Sequence, residues 1–62
     1  MDWQSKVLQW LRENDRSQAW LARTIAISPD YLNRCLNRRL SPSKAILEKI
    51  ALAMGKPVTY LL

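Results

Sequence analysis

Apolar residues recur along this chain at helical spacing, and polar residues break the pattern where turns are expected. Trp3, Val7, Trp10 and Leu11 fall at i, i+4, i+7 and i+8, which is one face of a helix running to about residue 14. Asp2 stands where it can cap that helix, and Asn14-Asp15 signals a turn. Ser17 is placed to cap a second helix, about 18–25, with Leu21, Ala22 and Ile25 facing inward. Ser28-Pro29-Asp30 marks a third start. Ser is a good N-cap, Pro suits a first position whose N–H has no partner, and Asp meets the positive helix end. This third helix covers about 29–37. Leu32, Cys35 and Leu36 form its inner side, and Tyr31, Asn33, Arg34, Asn37 and Arg38 lie mostly on the other. Ser41-Pro42-Ser43 reads as loop and cap. A fourth helix follows at about 43–54, with Ile46, Leu47, Ile50, Ala51 and Met54 at helical spacing and Gly55 to end it. Pro57 opens a last short helix containing Val58, Leu61 and Leu62. No segment alternates like a strand, and no repeat is present. The pattern predicts an all-α, five-helix bundle forming one domain over 1–62.

Composition narrows the chemistry. At 62 residues the core must be small, yet 48% hydrophobic residues is not the composition of a disordered segment. Cys35 is the single cysteine and there is no histidine, which leaves no internal disulfide and no His/Cys metal site. Cys35 falls on the apolar side of its helix, so a buried, inert thiol is expected. Five carboxylates are scattered, and no Ser or Cys has a His partner. An enzyme is not expected, nor any cofactor. No apolar run approaches the roughly 20 residues of a membrane span. The start, MDWQSK, lacks the pattern of a signal peptide. These features point to a soluble protein of a reducing compartment, without a membrane partner.

Charge adds a direction. The net charge is +5. In residues 1–30, Lys6, Arg12, Arg16 and Arg23 balance Asp2, Glu13, Asp15 and Asp30. In residues 31–62, Arg34, Arg38, Arg39, Lys44, Lys49 and Lys56 face Glu48 alone. A polyanionic partner would meet the second half, although a solvated basic face is the bland alternative. The segment 18–37 joins these observations. It sets a short helix, a tight turn and a second helix with a hydrogen-bonding outer side just ahead of the basic residues. That is the layout of a helix-turn-helix placing one helix in the DNA major groove.

From Ser17 to Leu62 the chain resembles the helix-turn-helix domain of the phage repressor/Cro family, the xenobiotic-response-element type of regulator. The resemblance rests on Ser17-Gln18, Leu21-Ala22, Ile27-Ser28, Leu32, Pro42-Ser43, Leu47, Ile50-Ala51, Ala53-Met54-Gly55 and Leu61-Leu62, aligned without a gap. It implies a lambda-repressor-like five-helix bundle that binds pseudo-palindromic double-stranded DNA as a homodimer, with helix 29–37 in the major groove. Base edges would then be met by Ser28, Pro29, Asp30 and Arg34, helped by Asn33. Phosphates would be met by Gln18, Asn37, Arg38, Arg39, Ser43 and Lys44, with Tyr31 contacting backbone or a methyl group. The resemblance also implies transcriptional repression, Cro-like and of phage or prophage type, in the cytoplasm of a bacterial host at its nucleoid.

Several positions depart from that family. Ala26 and Arg38 stand where glycine is common. A positive φ at Arg38 would be strained, so the loop is expected to follow another path. Leu11 and Leu36 stand where the family often pairs Arg with Glu. Replacing both partners of a buried ion pair by apolar groups is tolerated, so Leu11 should pack on Leu36. Asp30 can accept from cytosine, act as a first-turn charge, or pair with Arg34 one turn later, and the structural roles are favoured. Trp3 and Trp10 are expected in the core. Trp20 either lids the first helix or anchors a protein partner. With the chain ending at its last helix, Val58, Leu61 and Leu62 are the nearest apolar surface for self-association. Two alternatives stand beside the repressor. One is a protein-binding antirepressor or inhibitor that reuses this fold. The other is a small architectural factor, disfavoured by the lack of a minor-groove wedge.

Overall fold

Each α-helix of this chain opens and closes with the same local device. The computed structural model describes residues 2–62 and contains α1 (Trp3–Glu13), α2 (Gln18–Thr24), α3 (Pro29–Leu36) and α4 (Lys44–Ala53), followed by a single 3-10 turn at Val58–Tyr60. At each start a side-chain oxygen accepts from the backbone N–H three residues on. Asp2 accepts from Ser5, Ser17 from Trp20 and Ser28 from Tyr31, each at 3.0 Å, and Ser43 accepts from Ile46 at 3.3 Å. These bonds satisfy N–H groups that the helix itself leaves without partners. All four caps are those the sequence predicts.

The four ends are equally uniform. Asp15, Ala26, Arg38 and Gly55 each adopt a left-handed conformation, with φ of 53°, 60°, 63° and 70°. The N–H of each donates back to the third residue before it, and the next N–H donates five residues back. At α2 these bonds are Ala26 to Arg23 (3.3 Å) and Ile27 to Ala22 (2.9 Å). At α3 they are Arg38 to Cys35 (3.2 Å) and Arg39 to Arg34 (2.8 Å). This is the Schellman arrangement, which normally uses glycine. The expectation that Arg38 would avoid a positive φ is therefore corrected. The two closing hydrogen bonds, and an ion pair described below, hold it there despite its Cβ.

The helices bury one apolar cluster: Val7 and Leu11 of α1, Leu21 and Ala22 of α2, Ile25, Leu32 and Leu36 of α3, Ile50 and Ala51 of α4, Met54 and Leu61. Cys35 is fully buried as expected. Leu11 and Leu36 both enter this cluster, so the positions expected to pack together share one core. Among the described residues no polar or charged residue is buried. Burying each Leu, Ile or Val side chain contributes roughly 1.5–3 kcal/mol, which is the main source of stability in so small a chain.

Three expectations need adjustment. The last segment is three residues of 3-10 helix rather than a fifth α-helix. Leu61 closes that turn by donating to the Val58 carbonyl at 2.9 Å as its side chain enters the core. Leu61 is 4% exposed and packs into the core, so it is not a self-association surface. Trp3 and Trp10 are half-buried against the cluster rather than inside it. Trp20 lies over Trp10, ring centroids 6.0 Å apart and 26° between planes, with the Arg16 guanidinium 4.9 Å from the Trp20 ring. It thus serves as the lid on α1. The C-terminal turn is held to α1 by Lys6, whose Nζ donates to the Tyr60 carbonyl at 2.8 Å.

Candidate nucleic-acid interface

The connection between α2 and α3 spans residues 25–28. Ile25 is buried, Ala26 reverses the chain direction, Ile27 packs partly against the core and Ser28 caps α3. With Leu32, Cys35 and Leu36 committed to the core, helical geometry turns Pro29, Asp30, Asn33, Arg34 and Asn37 outward, and all five are exposed. The polar side expected from the sequence is therefore assembled on one helix.

Hydrogen bonds organise that side. Arg34 Nε lies 3.0 Å from Asp30 Oδ2, one turn earlier. An exposed pair at this spacing adds only about 0.3–0.5 kcal/mol to stability. Asn37 Nδ2 donates to the Asn33 carbonyl at 2.9 Å and to Asn33 Oδ1 at 3.1 Å. Asn33 Nδ2 in turn donates to Gln18 Oε1 at 3.4 Å, joining α3 to the start of α2. Ser28 accepts the Tyr31 N–H, which leaves its hydroxyl hydrogen free to donate outward. Asp30, Asn33, Arg34, Asn37, Arg39 and Leu40 line a single open depression. Leu40 was not singled out from the sequence, and it is the apolar member of this group.

The remaining expected contacts are distributed around this helix. Arg39 and Lys44 are exposed and, among the described residues, have no carboxylate within ion-pair distance. Ser43 caps α4 and Lys44 is its first residue. Arg38 is engaged internally, pairing with Asp2 at the start of α1. That contact, together with the Ser5 hydroxyl and N–H, holds the Asp2 carboxyl well below the usual carboxylate range. Separated by 36 residues, this pair left no signal in the sequence. Tyr31 is half-buried; desolvation and then the adjacent Cys35 thiol push its phenol up. Trp20, Val58, Leu61 and Leu62 lie outside this group. Val58 is half-buried and Leu62 is 68% exposed. Leu52 on α4 lies outside the apolar spacing of that helix and is 76% exposed.

A model of the Helix-turn-helix family, of Cro/C1 type, matches residues 8–61. The chain belongs to this family. A search of curated proteins and one of solved structures returned no match. As a Cro/C1-type helix-turn-helix protein, it is by kind a DNA-binding transcription regulator, and the family is not typically enzymatic. The family assignment agrees with the all-helical architecture and with a helix-turn-helix formed by α2 and α3. Among the described residues no cluster of His, Cys, Asp or Glu is arranged to hold a metal. No helix among them is long and apolar enough to cross a membrane.

Proposed function

We propose that this helix-turn-helix protein is a Cro-like repressor of phage or prophage type, working at the nucleoid of a bacterial cytoplasm. It binds a pseudo-palindromic operator as a homodimer and blocks the promoter by occupancy. α3 enters the major groove. Ser28, Pro29, Asn33 and Arg34 meet base edges with Asp30 beside Arg34 on the same surface, while Gln18, Tyr31, Asn37, Arg38, Arg39, Ser43 and Lys44 meet backbone. The observation that carries this reading is the exposed, hydrogen-bonded side of α3 continuing directly into Arg39 and Lys44, cations without a carboxylate partner among the described residues. Base-reading groups and phosphate-binding groups thus adjoin on one surface, as direct readout requires. Two half-sites should lie about 34 Å apart, one turn of the duplex. Val58 and Leu62 remain the proposed self-association surface, and the exposed Leu52 adds apolar area.

Selection of bound DNA from a random pool, followed by mobility shifts at two salt concentrations, tests this reading. A symmetric enriched sequence bound by two copies, more weakly at higher salt, is expected. Absence of any shift at low salt would overturn it. The part of Trp20 left at the surface beside its stack on Trp10 favours a second reading, an inhibitor that contacts another protein through Trp20. That reading gains only if DNA binding is absent.

A further inference from the structure

We propose that Asp30 is a specificity-determining positioning residue, which holds Arg34 for a guanine and withholds it from phosphates. The inference rests on the proposed DNA-binding reading and assigns a task within it. Asp30 and Arg34 are the only charged residues of α3, so the helix that faces the bases is electrically neutral. Nonspecific attraction must then come from the loop and α4, through Arg39 and Lys44.

The geometry explains what neutrality does. A guanidinium has five N–H donors in a rigid fork. An ion pair holds Nε 3.0 Å from Asp30 Oδ2. The Nη groups are left to donate together, and a matched pair of acceptors on one base edge is offered by O6 and N7 of guanine. An unpaired arginine on the same helix would reach any nearby phosphate oxygen, which carries no sequence information. The Asp30 carboxylate repels those oxygens and ties Arg34 to one direction. Both side chains are largely exposed in the free protein, 56% for Arg34 and 75% for Asp30. Entry into the groove displaces water from the pair and strengthens it at the moment of reading. Asn33, at the next outward position, is already bonded to Gln18 and Asn37, so it does not compete for either group.

The test is binding-site selection with the wild-type protein, Arg34→Ala, Asp30→Asn, Asp30→Ala and Asp30→Glu, with salt dependence measured for each. The wild type should enrich a guanine that Arg34→Ala no longer selects. Asp30→Asn and Asp30→Ala should lose about five-fold or more of that preference, the lower end of one bidentate contact. They should also bind random DNA more tightly, with a salt slope steeper by roughly 0.9, the value for one added phosphate. Asp30→Glu keeps an i,i+4 carboxylate and should keep the preference. A purely structural first-turn charge would move the unfolding midpoint and neither of these readouts. Asp30→Asn and Asp30→Ala with wild-type preference and slope would overturn the assignment while leaving DNA binding intact. So would a selected site unchanged in Arg34→Ala. A wild-type protein that enriches no sequence would instead remove the DNA-binding reading itself.

Discussion

Replacing Ala26 with glycine should stabilise the domain. Ala26 holds φ at 60° to close α2. In that conformation a Cβ crowds the following carbonyl oxygen, which costs roughly 1–2 kcal/mol. Glycine removes the crowding but gains freedom in the unfolded chain, taking back about 0.4–1 kcal/mol. The net gain is about 0.5–1 kcal/mol. The Ala26 methyl is exposed, so no core contact is lost, and the backbone bonds from Ala26 to Arg23 and from Ile27 to Ala22 remain available. A domain of this size has a total stability of only about 3–9 kcal/mol, so the gain is a large fraction. It corresponds to a rise in Tm of roughly 2–8 °C. Urea unfolding followed by circular dichroism, with thermal melts alongside, measures it. The urea midpoint should rise at constant slope, since the surface exposed on unfolding is unchanged. An unchanged or lowered midpoint would show that the left-handed turn stores no such strain.

The complementary change is Gly55→Ala. At φ 70° an added Cβ meets nothing within 4 Å, so only backbone strain opposes it; a loss of about 1 kcal/mol is expected in the same unfolding assay. Arg39→Ala should weaken binding to all DNA sequences alike and flatten the salt slope by roughly 0.9, measured by mobility shift or fluorescence titration. Asp2 makes stability depend on acid. Its carboxyl is depressed in the folded chain by Arg38, so its contribution is fully present above the ordinary Asp value near about pH 4 and fades as pH falls below it. Asp2→Asn should therefore unfold more easily at neutral pH, with the gap to wild type closing on acidification. A gap that stays constant down to about pH 2 would refute the linkage.

Helix starts were legible because they depend on local chemistry that specific residues perform. Asp2, Ser17, Ser28 and Ser43 each cap where the pattern places them. Helix ends were less legible, because Ala26 and Arg38 carry out a glycine's task without a glycine's signature. The final segment misled for a different reason. Its apolar spacing suits a helix, yet Leu61 is drawn into the core after a single 3-10 turn, which burial rewards more than another helical bond. Within the candidate interface, the outward side of α3 could be read from periodicity, and so could the i,i+4 pairing of Asp30 with Arg34. The Asn33–Gln18 bond and the Asp2–Arg38 pair could not, since they join residues 15 and 36 positions apart and depend on how the helices cross.

The wholly apolar interior, in which Leu11 and Leu36 take part, has a consequence for how such a protein changes over generations. Among the described residues, no polar or charged residue is buried. Folding and target choice are therefore written at separate positions. Substitutions at Asp30, Asn33 or Arg34 open no cavity and strand no buried polar group, the two commonest causes of large destabilisation. A lineage can drift to a new target without first repairing its interior, and a laboratory library randomised on the outer side of α3 should remain mostly folded.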